Sequence, residues 1–444
     1  METYQVSIVN FIFIFYLFVS SPINAQVGLI TNETDVILKT PIEEVRDNQS
    51  SNPYSSYTNL VMAGYQGWFA AEGDDSNRGW YHYGIKGGDS PGPTTIDMWP
   101  DMTEYENKYI TPFKNKDGSN TYLYSPYDEQ SVDLHFKWMK EYGIDGVHMQ
   151  RFLSEVTSDK GKRHFNKVLK NALKAAKKYN RAICVMYDLS GSDSERVAYL
   201  EQDWNELVTE FNLLDIEENP TYLRHRGKLL MTIWGVGFND GRKYSIEDVD
   251  NLVNLLKGPT NKVSIMLGVP YYWRTLKRDT EDNPALHQLI KKVDIIMPWA
   301  VGRYNISYYN PNVVAEDVKW AEKNSIDYVP LVFPGFTWGN LQKNPKLYHQ
   351  IPRKKGDFLW KQIAEAKKGG AKSLYVAMFD EIDEGTAIFK VELENKVPIN
   401  GNSGYKFLGL DKSLQTDYYL WLTGQATRWF HNEGNYNHIK PIRK

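Results

Sequence analysis

"SLYVAMFDEIDEG", residues 373–385, runs six apolar residues, Leu374 to Phe379, directly into four carboxylates, Asp380, Glu381, Asp383 and Glu384. An apolar run without alternation suits a strand covered on both faces. Seven further runs share this form: "NLVMAGYQGWF" (59–69), "DGVHMQRF" (145–152), "AICVMYDLSG" (182–191), "KLLMTIWGVG" (228–237), "VSIMLGVPYYW" (263–273), "DIIMPWAVGR" (294–303) and "DYVPLVFPGF" (327–336). Between them lie stretches of helical period such as "KRHFNKVLKNALKAAKKYN" and "SIEDVDNLVNLLKG", several opened by Ser or Asp suited to capping a helix. Eight buried strands alternating with helices predict an α/β fold, a (β/α)8 barrel spanning 58–444. The rival, an open doubly wound sheet, usually shows a Gly-rich phosphate turn after its first strand, and "GYQGWF" is not one. The first strand-to-helix connection, about 68–127, is long enough to expect a binding loop or lid.

With 444 residues, 41% apolar and 24% charged, the chain can bury a large core. The formal net charge is −3 and no basic block stands out, so nucleic acid is not an expected partner. The apolar stretch before Ala25 reads as a removable export signal over 1–25, followed by a polar lead-in over 26–57. That places the protein outside the cell or in the periplasm, off the membrane once the signal is removed. An uncleaved anchor is the alternative, since Glu2 precedes the stretch and no Lys or Arg does. Cys184 is the single cysteine, so an exported chain would fold without an internal disulfide, as an expected monomer.

In a barrel of this class the site lies at the C-terminal ends of the strands. There stand Tyr65, Gln66 and Trp68; His148, Gln150 and Arg151; Tyr187 and Asp188; Trp234; Tyr272 and Trp273; Trp299 and Arg303; Trp338; and Asp380 to Glu384. Packing does not demand an aromatic or a charge at one end of every strand, so their convergence points to a pocket. The 13 Trp and 30 Tyr offer flat apolar faces with polar edges, which match sugar rings. Two carboxylates in one site divide proton duties when their pKa values are driven apart, which glycoside cleavage requires. Glu381 and Glu384 share a pocket if the chain turns after the strand, and point apart if it stays extended.

At these residues the chain resembles the glycoside hydrolase family 71 and 99 clan, which includes endo-α-mannanases and endo-α-mannosidases. "VMAGYQGWF", "DGVHMQRF", "VFPGF" and "AMFDEIDEGTAIFK" look more narrowly like a bacterial subgroup loosely labelled xylosidase or arabinosidase. The resemblance covers about residues 58–390 and includes the "E-x-x-E-G" pattern at Glu381, Glu384 and Gly385, with "ID" where family 99 tends to have Trp nearby. It implies Glu384 as general acid and then base. It implies Glu381 as the group that deprotonates the sugar 2-hydroxyl, giving a 1,2-anhydro sugar intermediate and net retention. Carboxyl groups about 5–5.5 Å apart would suit a covalent retaining route instead, and about 6.5–9.5 Å an inverting one.

In supporting roles, Trp68, Trp234, Trp273, Trp299 and Trp338 are candidates to stack on sugars. Tyr65, Gln66, His148, Arg151, Tyr187, Asp188, Tyr272, Arg303 and Asp380 are candidates to bind hydroxyls or, for the two arginines, an acidic or sulfated substituent. No cofactor is expected, and no His and Cys spacing resembles a metal site. The expected partner is a polysaccharide or oligosaccharide; a glycan binder without turnover on the same barrel is the alternative.

Overall fold

The computed structural model describes residues 53–86, 92–258, 263–401 and 404–443. The expected export signal and nearly all of the lead-in lie outside them. The last lead-in residues do not: Tyr54 and Tyr57 are buried at the barrel base, where the Tyr57 hydroxyl donates to the Leu374 carbonyl at 3.2 Å. The compact unit therefore starts at Pro53, not at 58.

The apolar runs form strands β1 (Val61–Tyr65), β2 (Gly146–Phe152), β3 (Ala182–Asp188), β4 (Lys228–Trp234), β5 (Val263–Pro270) and β6 (Ile295–Trp299). β7 comes in two pieces, Asp327–Tyr328 and Leu331–Val332, and β8 is Leu374–Val376. All pair in parallel: β8 with β1, then β1 through to β6 in order. β7 closes the ring. Its first piece pairs β6 and its second pairs β8, and the break falls at Val329 and Pro330, where Pro330 has no N–H to donate. The ladder continues across the break, because Val329 N–H donates to Ile296 at 2.9 Å and the Pro330 carbonyl accepts from Tyr375 at 3.0 Å.

A helix follows each strand: α1 (Glu129–Tyr142), α2 (Asp159–Tyr179), α3 (Ser194–Glu210), α4 (Ile246–Leu256), α5 (Ala285–Ile290), α6 (Asn312–Lys323), α7 (Asp357–Lys368) and α8 (Tyr418–Phe430). The expected caps start several of them. Ser158 caps α2, Asp193 caps α3, and Ser245 with Asp248 forms a capping box on α4.

Strand residues alternate between the barrel interior and the helix layer. Gly146 opens β2 where no side chain fits, since a Cβ there would sit 1.9 Å from the Ala182 carbonyl oxygen on β3. Gly146→Ala is expected to cost at least about 2 kcal/mol, as overpacking against backbone does, and a lowered urea midpoint with an unchanged slope checks it.

The long first connection carries an antiparallel hairpin, Tyr109–Lys114 with Asn120–Leu123. It also clamps the loop after β8: the N–H groups of Asp97 and Met98 both donate to the Ile382 carbonyl, at 3.1 and 3.0 Å. The buried Asp97 carboxylate in turn accepts from Thr337, Gly339 and Asn340 after β7.

Candidate active site

After β8 the chain turns. Glu381 offers its carbonyl to the N–H groups of Thr386 and Ala387, at 3.1 and 2.9 Å, which pinches residues 382–385 into a tight loop. Gly385 makes the turn with φ +59°, and Thr337 N–H donates to the Glu384 carbonyl at 3.0 Å. Partners from the first connection and from the segment after β7 thus fix the loop that carries the carboxylates, the preorganisation a catalytic constellation needs.

Asp380 is fully buried and accepts from the N–H groups of Gln66 and Gly67, at 2.7 and 3.0 Å. Burial pushes its carboxyl up to about 7 against the pull of those donors. It pins the end of β1 to the end of β8 and so positions Gln66. The Gln66 side-chain amide donates to one oxygen of Glu381, and the Thr386 hydroxyl donates to the other. Burial, then the charge of Glu384, holds the Glu381 carboxyl well above the usual range. Glu384 is half-buried; burial, then Asp383 and Asp188, push it up to about 8, with Arg303 opposing. The turn has put both glutamates in one electrostatic neighbourhood.

Buried acids this close cannot both ionise at neutral pH. Donors at both oxygens of Glu381 favour its charged form, against the burial and the charge of Glu384 that raise it. Asp383, 2% exposed, lies 3.9 Å from His82 Nδ1, and its Oδ1 has no hydrogen-bond partner. His82 itself stacks on Trp68 at 3.9 Å and 8°.

Trp234 and Trp299 meet edge to face at 5.0 Å, and Trp234 occupies the space over Gly268, where a Cβ would come within 2.4 Å of its ring. Trp234 Nε1 is buried and lacks a partner, as do Gln66 Oε1 and Gln150 Oε1. Trp338 is buried against Phe336 at 5.1 Å, one residue from the Thr337 that backs Glu384.

Strand alternation moves several expected site residues elsewhere. Tyr65 points into the helix layer, where its hydroxyl meets His135 of α1 at 2.8 Å. Arg151 and Tyr187 also point outward, and both bind Asp203 of α3: the guanidinium at 2.5 and 2.7 Å, the phenol at 2.7 Å. Neither can serve an anionic substrate in the mouth. Trp273 lies against Trp320 of α6 at 4.8 Å and His287 of α5 at 6.2 Å.

His148 faces inward but sits inside the barrel, between Thr232 and Tyr57 at 3.0 and 3.1 Å. Burial lowers it to about 3, so it stays neutral. Trp68 has His82 on one side and Phe152 on the other, at 4.9 Å, so no sugar can stack on its faces. Arg303 is held by Asp279 at 2.5 Å, and Tyr272 by Arg278 at 2.8 Å.

The sequence pointed to Gln150 and Asp383 only as strand-end residues with no role, and not to His82 or Thr386. Thr386 stands two residues beyond the acidic run, so it was open to inspection. Nothing local marks His82, which reaches Asp383 only through the course of the long loop. Among the described residues no cluster of three or more His, Cys, Asp or Glu side chains is placed to hold a metal ion.

No family model matches the chain, and no curated protein does. Solved structures do. The family 99 endo-α-mannosidase from Bacteroides thetaiotaomicron in complex with bis-tris-propane matches at 16% identity with a TM-score of 0.60, over 85% of this chain and 98% of that one. A second structure of the endo-α-mannosidase from that organism matches at 14% identity with a TM-score of 0.57, over 85% and 99%. At such identities the likeness shows the fold: this chain is an α/β barrel of the kind those two structures have. It is a (β/α)8 barrel with a carboxylate-rich loop after its last strand.

Proposed function

We propose that the protein is a glycoside hydrolase, with Glu384 as general acid and Glu381 as its ionised partner. One observation carries this reading. A glutamate pushed up to about 8 sits three residues from a second whose two oxygens are each met by a donor. The fold shared with the endo-α-mannosidases and the "E-x-x-E-G" pattern support it. The unpartnered Gln66 Oε1, Gln150 Oε1 and Trp234 Nε1 suit a ligand rich in hydroxyls.

In the finer reading, Glu381 takes the proton of the sugar 2-hydroxyl, whose oxygen attacks the anomeric carbon. The bond to the leaving oxygen breaks as Glu384 protonates it. Water then opens the 1,2-anhydro sugar, giving its proton to Glu384, while Glu381 returns a proton to O2. The product keeps the anomeric configuration, which proton NMR of the first released sugar tests directly. An inverted product would exclude this route. We further propose that the protein acts outside the cytoplasm, which the N-terminal apolar stretch supports.

The assignment is tested by screening plant, fungal and algal polysaccharides for released reducing ends. It fails if Glu381→Gln and Glu384→Gln both leave the rate on the cleaved substrate unchanged. The pH profile supplies a second test. Glu384 is competent as an acid only while protonated, so kcat/KM is expected to fall as pH rises through about 8. Asp188→Asn removes a negative charge that raises Glu384, so that limb should move to lower pH.

A further inference from the structure

Beside the acidic loop lies a second cleft, of about 320 Å³, that the proposed chemistry does not use. Its size falls within the range of about 300–1,000 Å³ typical of small-ligand sites. Gly385 and Thr337 form the wall it shares with the catalytic loop, and a Cβ on Gly385 would lie 2.2 Å from Thr337 Cγ2. Phe336, Ile351, Leu408 and Leu410 give it an apolar lining.

Its charges are unequal. Arg353, Lys354 and Lys355 line it against Glu394 and Asp411, and Asp411 is taken by Lys355 at 3.1 Å. Two cations then remain against Glu394. His349, also in the lining, reports the local field. Burial, then Lys406 and Arg353, hold its imidazole below its ordinary value, with Glu394 acting the other way. The Arg353 guanidinium also donates to the carbonyls of Gly385 and Ala387, at 2.8 and 2.6 Å, so the cleft and the catalytic loop share a group.

We propose that this cleft is a second sugar subsite, which takes a residue bearing a carboxylate or sulfate from the glycan that is cut beside Glu384. The proposal rests on the glycosidase reading and adds a substrate class to it. An apolar lining accepts the CH face of a sugar ring, and the surplus cations accept the anion. Of the two arginines expected to meet an anion, Arg151 is taken by Asp203 in the helix layer and Arg303 donates to Asp279, whereas this cleft sets two cations against one carboxylate.

The test is calorimetric binding to the full Glu384→Gln chain, which removes turnover from the readout. The probes are a galacturonic acid trimer, a sulfated galactose trimer and a neutral galactose trimer. At least one anionic trimer is expected to bind about tenfold or more tightly than the neutral one, a difference of about 1.4 kcal/mol that salt weakens. Which anionic trimer binds decides between carboxylate and sulfate. Adding Lys354→Glu should abolish the preference, and Lys354→Ala should reduce it, with the thermal midpoint of both unchanged.

Equal binding of all three trimers, no binding of either anionic one, or a preference that survives both Lys354 variants would overturn the subsite. Hydrolysis by the parent chain reports separately on the catalytic reading. Reducing ends released without anionic preference would sink the subsite alone, and anionic binding without any hydrolysis would sink the catalytic assignment alone.

Discussion

Glu384→Gln is expected to lower turnover on the natural glycan at least about a hundredfold, the scale on which positioned acid–base catalysis operates. Gln keeps the shape and hydrogen-bonding capacity of the side chain but carries no transferable proton, so the leaving oxygen must depart unprotonated. An aryl glycoside whose phenol departs readily needs that proton far less. The Glu384→Gln loss should therefore shrink on the aryl substrate, while the loss for Glu381→Gln, which acts at the sugar, should stay large on both. Equal losses on both substrates for Glu384→Gln would remove it as the acid. A glycan binder without turnover predicts a different pattern, with ligand affinity preserved in both variants and no rate to lose.

Asp203→Ala is expected to cost about 3–5 kcal/mol of stability, the range for breaking a buried ion pair by deleting one partner. Arg151 is 2% exposed and loses both of its carboxylate contacts, and the Tyr187 hydroxyl loses its acceptor. What remains is a charge desolvated between β2 and α3. Replacing both partners, Arg151→Met with Asp203→Leu, should recover most of the loss, because no uncompensated charge is left. Chemical unfolding at one pH measures both variants. Activity per folded molecule should hold in the double variant, since the pair lies in the helix layer. A double variant that is stable but inactive would return Arg151 to the site.

The buried acids of the site carry a stability consequence as well. Asp380 at about 7 and Glu384 at about 8 have folded-state pKa values above the ordinary carboxylate range. Folding therefore favours their protonated forms, and that share of stability is whole below the unfolded-state values of about 4 and is lost progressively as pH rises from there to about 8. Thermal midpoints should fall across that window, and less so in Glu384→Gln, which has no proton to lose there.

The expectation of eight strands with a helix after each matches the structure because burial on both faces leaves a continuous apolar run in the sequence. The break in β7 was not read from the sequence, where "DYVPLVF" is one run and a proline also stands inside the unbroken β6. The candidate site was legible to a lesser degree. Gln66, Glu381 and Glu384 do come together, yet Tyr65, Arg151, Tyr187 and Trp273 turn toward helices, and His148 stays inside the barrel. A buried strand is apolar toward both the barrel and the helices, so its run does not reveal which alternate residues face the interior. The register with neighbouring strands decides that. The fate of Trp68 is subtler, for it was placed near the strand ends and then covered by His82 from a loop more than ten residues on.

The sequence by itself determined the number and order of the strands, their helices, and the crowding of acids after the last one, because these depend on local composition and periodicity. Only the tertiary structure decided which charges are paired and which carboxyls are held above their ordinary range. Those properties follow from desolvation and from partners such as Asp203, Gln66 and Thr386, and Asp203 meets Arg151 only because β2 and α3 pack together.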